Sequence, residues 1–220
     1  MCGISGVMYT HANQQISTIS KLMNQQLTHR GPDASGHWVA ANNKVALAHR
    51  RLSILDVSYA GHQPMSDLSK NIWISYNGEI YNFKDLRSEL KKLGHVFKSN
   101  TDTEVIIYAY IEWGIDCIKK FNGMFAFSLY DNYKKKFYLC RDRYGIKPVY
   151  YHITKNKTLV YGSEIKSILE YKDYNKEIDK EALVEYFTFQ NIFTNKTFNK
   201  DIKILEAGHY FEIDLSSKNH

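Results

Sequence analysis

The chain has 220 residues, 44% hydrophobic and 24% charged, enough to bury a sizeable core in one large domain or two small ones and too apolar for a disordered tail. No apolar run approaches the ~20 residues of a membrane helix. The formal charge of +6 is spread along the sequence, and its one dense basic run, Lys134-Lys135-Lys136, sits between two apolar runs as a solvated hairpin turn would, so neither a membrane nor a nucleic-acid partner is expected. The first twenty residues carry neither the basic nor the apolar part of a secretory signal. Three cysteines (Cys2, Cys117, Cys140) make no disulfide framework, so a cytoplasmic location is expected.

In chain order, Gly3–Tyr9 reads as a strand, and Ile16, Ile19, Met23 and Leu27 mark one face of a helix. Three apolar stretches follow at His37–Ala41, Lys44–Leu52 and Ile72–Tyr76, with Asn42-Asn43 as a turn signal between the first two. Phe83, Leu86, Leu90 and Leu93 give a second helix, with Gly94 as its stop. Thr101-x-x-Glu104 is a capping box opening a third helix through Trp113. Met124–Tyr130, Phe137–Cys140, Val149–His152 and Thr158–Gly162 read as consecutive strands. Asp179 is placed as an N-cap, with Ile178 and Leu183 as a hydrophobic staple. Strands in blocks with paired helices between them predict antiparallel sheets covered by helices, an α+β chain, and not an alternating βαβ sheet.

Cys2 is the most unusual placement. Once the initiator Met is removed it carries a thiol and a free α-amine on one residue, and the amine (near ~7.7–8.0) can serve as the base for the thiol (near ~8.5). The alternative is an incidental cysteine at a frayed end. Five of the six arginines fall in three short segments (Arg30; Arg50 and Arg51; Arg141 and Arg143) of a chain that otherwise prefers Lys, as expected where a planar fork must meet a carboxylate. Arg50 and Arg51 are strand neighbours, so only one enters a given pocket. Asn77-Gly78-Glu79 reads either as a plain Asn-Gly turn or as an amide and a backbone N–H aimed at an oxyanion. Asp102 reads first as a helix cap. No zinc spacing, phosphate-binding loop or G-x-S-x-G elbow occurs.

In this order, Cys2-Gly3-Ile4, His29-Arg30-Gly31-Pro32-Asp33, His49-x-Arg51-Leu52-Ser53-Ile54, Asn77-Gly78-Glu79-Ile80-Tyr81-Asn82, Thr101-Asp102-Thr103-Glu104, Arg141-Asp142-Arg143-Tyr144-Gly145-x-Lys147-Pro148 and Ser163-Glu164-Ile165-Lys166 resemble the class II glutamine amidotransferases. The Glu79 and Pro32 forms favour the asparagine-synthetase branch. The resemblance implies a four-layer αββα N-terminal-nucleophile sandwich and a single glutaminase domain over 1–220, with 186–220 as a segment toward a synthetase domain. It implies Cys2 as nucleophile and Asn77 and Gly78 as oxyanion hole. Arg51 would hold the α-carboxylate of glutamine and Asp102 its α-ammonium, with Leu52, Ile54 and Glu79 lining the pocket. Arg30, Asp33, Arg141, Asp142 and Arg143 are read as structural.

The implied reaction is hydrolysis of L-glutamine to glutamate through a Cys2 thioester, with ammonia passed to an ATP-dependent synthetase partner. It needs no metal and no cofactor; ATP and magnesium belong to the synthetase domain, whose Ser-Gly-Gly-x-Asp-Ser loop this sequence does not contain. Oligomeric state stays open. The rival readings are another N-terminal-Cys amide hydrolase or acylase, which would not need Arg51 and Asp102 together, and a catalytically silent regulatory module.

Overall fold

The computed structural model describes residues 1–56 and 58–216; the last four residues of the segment assigned above to 186–220 lie outside them. The chain runs β1 (Gly3–Met8), α1 (Ile16–Gln25), β2 (Ala34–Val39), β3 (Val45–Arg51), β4 (Met65–Ser66), β5 (Ile72–Ile80), α2 (Phe83–Lys92), α3 (Asp102–Trp113), β6 (Gly123–Asp131), β7 (Lys136–Arg141), β8 (Tyr150–Ile153) and β9 (Leu159–Gly162). It continues through α4 (Ile165–Ile168), α5 (Lys180–Phe189), β10 (Ile202–Ile204) and β11 (Tyr210–Asp214).

The strands form two antiparallel sheets, one in the order β10-β8-β9-β1-β3-β2 and one in the order β11-β7-β6-β5-β4. Alternation along each strand sorts side chains into three apolar layers. Ile4, Met8, Val45 and Leu47 of the first sheet meet Ala126, Tyr130, Phe137 and Leu139 of the second. On the outer face of the first sheet, Val7, Ala46 and Val160 pack against Ile16, Ile19 and Met23 of α1 and Ile168 of α4. Outside the second sheet, Ile74, Tyr76 and Phe127 pack against Leu86 and Leu90 of α2 and Val105, Ile106 and Ala109 of α3. The order helix–sheet–sheet–helix is the predicted four-layer sandwich.

Local signals explain most boundaries. Thr101 caps α3 by accepting from the Glu104 amide at 3.3 Å. Glu104 reaches back past the cap to the amides of Lys98 and Ser99 (2.9 and 2.7 Å), so the reciprocal half of the box lands two to three residues upstream. Gly94 stops α2 with φ +96°, a backbone region that side-chain-bearing residues rarely adopt. Asp179 caps α5 through the Ala182 amide at 3.0 Å, whereas Ile178 is 66% exposed.

Two boundaries move. β2 begins at Ala34, because Ala34–Gly36 continue the ladder with Arg51–His49. Asn77-Gly78-Glu79 is neither a turn nor the end of a strand: it lies inside β5, registered against Ala126, Phe125 and Met124 of β6. Nine-residue β6 runs alongside all of β5, so the ladder overrides the Asn-Gly turn preference. Along β5, Tyr76 packs on the helix side while Ser75 reaches the Ala48 carbonyl of β3 at 2.9 Å. Asn77 and Glu79 share the side of Ser75 by alternation and so face the first sheet.

Candidate active site

Cys2 enters the gap between the sheets at the start of β1, on the same side as Ile4 two residues later. Its thiol lies against the main chain of Leu52, donating to the carbonyl at 3.6 Å and facing the amide at 3.4 Å. Burial pushes the thiol up from its ordinary value; the Leu52 amide, the N-terminal charge and Arg51 pull it back, and Asp102 adds to the rise. The thiol therefore rests protonated at neutral pH and needs a base to become a nucleophile. Its main chain is fixed from another direction, because Arg30 Nε donates to the Cys2 carbonyl at 3.0 Å and Arg30 Nη1 binds Glu164 at 3.0 Å.

A cleft of about 70 Å³ opens at this thiol. It is lined by Cys2, Arg51, Leu52, Ile54, Gly78, Glu79 and Asp102 of the predicted set. Leu55, Gly61, Gln63, Tyr76, Thr101 and Thr103 complete it. Asn77 is buried at 2% exposure, and its side-chain Nδ2 has no hydrogen-bond partner among the described residues. An unsatisfied buried amide is costly, and such groups are rare in folded proteins.

Arg51 is 7% exposed. Its guanidinium donates to the main-chain carbonyls of Ser58 (3.0 Å), Leu55 (3.3 Å) and Asp56. The loop after β3 thus wraps the cation with neutral acceptors and gives it no carboxylate within ion-pair distance among the described residues. Gly61 makes this fit possible, since a Cβ there would stand 2.1 Å from Arg51 Nη2. Arg50 points to the other face, where Nε donates to the Asn24 carbonyl at 3.1 Å. That is the division the strand alternation predicted.

Asp102, at the first turn of α3, is 4% exposed. One carboxylate oxygen accepts from the Tyr76 hydroxyl at 2.6 Å and from the Ile80 amide at 2.9 Å. No cation pairs with it among the described residues, and burial holds its carboxyl above the usual carboxylate range despite those donors. More than a helix cap, it is a buried acid held by a tyrosine.

His49, two residues before Arg51, donates Nε2–H to the Tyr76 carbonyl at 3.0 Å. Its Nδ1 has no partner among the described residues, and full burial lowers its pKa to about 3, so the ring is neutral. Among the described residues no group of His, Cys, Asp and Glu could hold a metal ion, and no helix is long and apolar enough to cross a membrane.

All the predicted residues except Asn77 line the one cleft, and Asn77 stands beside them on β5. Arg30, expected to be structural, holds the Cys2 carbonyl directly. Tyr76 is the contributor that the sequence does not reveal: it fixes Asp102, and no signal marks it, because an aromatic inside a strand is ordinary core.

The comparisons agree with this geometry. The family described as "Glutamine amidotransferase domain" matches residues 1–219. Asparagine synthetase [glutamine-hydrolyzing] 1 of Bacillus subtilis is 39% identical over 216 residues, covering 97% of this chain and 33% of that protein. Asparagine synthetase [glutamine-hydrolyzing] 3 of the same organism is 40% identical over 190 residues, covering 85% and 30%. The chain therefore spans about a third of the length of these relatives. A solved structure of glutamine phosphoribosylpyrophosphate amidotransferase from B. subtilis superposes with a TM-score of 0.66 at 16% identity, covering 98% of this chain and 49% of that one; this likeness speaks to the fold. On its sequence match and its fold, the chain belongs to the glutamine amidotransferase domain family and is homologous to glutamine-hydrolysing asparagine synthetases.

Proposed function

We propose that this chain hydrolyses L-glutamine to L-glutamate and ammonia through a γ-glutamyl thioester on Cys2, and that the ammonia serves an ATP-dependent synthetase unit such as its longer relatives are named for. One observation carries the substrate. A buried guanidinium without a carboxylate partner and a buried carboxylate without a cation partner, among the described residues, line one small cleft beside the thiol. A zwitterionic α-amino acid supplies both missing partners at once, carboxylate to Arg51 and ammonium to Asp102. Its side-chain amide then extends toward Cys2. Asparagine, one methylene shorter, falls short of the thiol.

The reaction follows from the remaining groups. With Met1 removed, the free α-amine of Cys2 takes the proton from its own thiol, and the thiolate attacks the amide carbonyl. Negative charge develops on the carbonyl oxygen where the orphaned Asn77 Nδ2 and the Gly78 N–H stand ready to donate. The protonated amine then hands its proton to the leaving ammonia, and water resolves the thioester. Leu52 fixes the thiol, while Ile54 and Glu79 close the walls.

The test is release of the side-chain acid and ammonia from glutamine, N-acetylglutamine and asparagine by protein that begins at Cys2. Turnover of glutamine alone is expected. Comparable turnover of all three would instead fit a general N-terminal-Cys amide hydrolase.

A further inference from the structure

Lys147 is a buried cation that the reaction scheme leaves unused. It is 7% exposed, and the only polar contact of its Nζ among the described residues is the Met1 thioether sulfur at 3.6 Å. A thioether is a weak acceptor, and an ammonium buried without an anion is costly. The neighbouring Arg30 differs: its Nη2 also approaches the Met1 sulfur, at 4.0 Å, but its charge is met by Glu164.

The chain holds Lys147 rigidly. Its amide donates to Asp142 at 3.0 Å, and its carbonyl accepts from Arg141 Nε at 3.1 Å. Asp142 also gathers the amides of Phe125, Tyr144 and Ile146 (3.1, 3.1 and 3.0 Å), so its carboxylate is spent on the main chain of the loop. Arg141 closes the same loop onto the carbonyls of Gly145 and Leu205 (2.6 and 2.5 Å). A stiff loop therefore delivers an uncompensated ammonium to the N-terminus.

We propose that Lys147 keeps the α-amine of a processed Cys2 in its free-base form by holding a like charge beside it. The inference rests on the function proposed above. An unperturbed α-amine is mostly protonated at pH 7 and then cannot serve as base; a nearby cation disfavours the protonated form. The Met1 side chain, whose sulfur Lys147 touches at 3.6 Å, is joined to the Cys2 nitrogen through five bonds, so the ammonium lies no more than about 10 Å from that nitrogen.

The other charges around the N-terminus do not cancel this. Glu164 is shared by Arg30, His29 and Lys166 (3.0, 2.9 and 3.4 Å). Asp102 and Glu79 line the cleft at the substrate's end together with Arg51. Asp142 is consumed as described. Among the described residues, Lys147 is the one of these charges with neither an ion partner nor a place in the cleft.

The experiment uses protein beginning at Cys2 in wild-type, Lys147→Met and Lys147→Arg forms, each checked for folding by circular dichroism and thermal melting. The first readout is the acid limb of kcat/KM for glutamine against pH. The second needs no turnover: protein labelled with cysteine carrying 13C at Cα, its Cys2 thiol capped as the methyl disulfide, is titrated by NMR, so that the Cys2 signal reports the amine alone. Lys147→Met should move both the limb and the NMR titration up by about one unit, with KM unchanged, and Lys147→Arg should restore both. Identical amine titrations in wild type and Lys147→Met would overturn the proposal. If wild type turns over no glutamine, the functional reading fails while the NMR titration still decides the role of Lys147.

Discussion

The Tyr76 hydroxyl lies 2.6 Å from the Asp102 carboxylate, joining the middle of β5 to the first turn of α3. This contact links the strand that carries Asn77 to Asp102, the acid proposed to read the substrate ammonium. Burial raises the Asp102 carboxyl, and this hydroxyl is the foremost group opposing the rise. Tyr76→Phe should raise the glutamine KM by about tenfold or more, as for loss of a hydrogen bond to a charged group, with kcat much less affected. Steady-state kinetics at pH 7.5 checks it; an unchanged KM would place Asp102 outside the substrate site.

Asp102 also predicts how binding responds to pH. In the empty site its folded pKa lies above the unfolded value, so the native state holds more protons than the unfolded state between the two, and this group lowers stability as pH rises through that window. A bound ammonium reverses the sign by favouring the carboxylate. The rise in melting temperature given by saturating glutamine to Cys2→Ala protein should therefore be larger at pH 7 than at pH 5. Equal increments would mean that Asp102 does not change its charge balance on binding.

Asn77 separates catalysis from stability. Because its Nδ2 makes no hydrogen bond among the described residues, Asn77→Ala removes an unsatisfied donor and should leave the melting temperature within a few degrees. The same change should lower kcat by about 10² to 10³, the usual effect of losing one oxyanion donor, with KM little altered. A large loss of stability with normal kcat would reverse the assignment.

His49 offers a prediction outside catalysis. With its pKa lowered to about 3 by burial, the native state binds fewer protons than the unfolded state from there up to about 6.5. Its contribution to stability is therefore present above the unfolded value and lost as pH falls through that window. Denaturant unfolding at pH 7 and pH 4.5 should show a smaller acid loss in His49→Gln than in wild type. An equal loss would mean the ring charges while buried.

These residues also show what the sequence made legible. Apolar periodicity found α1 and α2, since each buries one face against a sheet, and most of the strands, whereas α3, buried all round from Asp102 to Tyr110, was marked by its capping box. Alternation put Arg50 and Arg51 on opposite faces, and the family resemblance chose Arg51 for the pocket. The cleft was not legible from local patterns: Asn77-Gly78 looks like a turn because turn preference is local, whereas the β6 partner that straightens it lies some fifty residues away. Asp102 looked like a cap for the same reason, and its partner Tyr76 is 26 positions distant. Only the ordered set of motifs, read as a family resemblance, joined these positions before the fold did.

In the proposed reaction Cys2 acts as nucleophile and, through its own α-amine, as base, and this pairing is open to direct test. It is tested by comparing protein processed to begin at Cys2 with protein carrying a non-cleavable extension before it, both checked for folding by circular dichroism and, on separate samples, for a Cys2 thiol that accepts a label. The account predicts glutamate release from glutamine by the processed form, rising as the amine deprotonates near ~7–8 or below, and none above background from the extended form. Equal turnover by the two forms would contradict it.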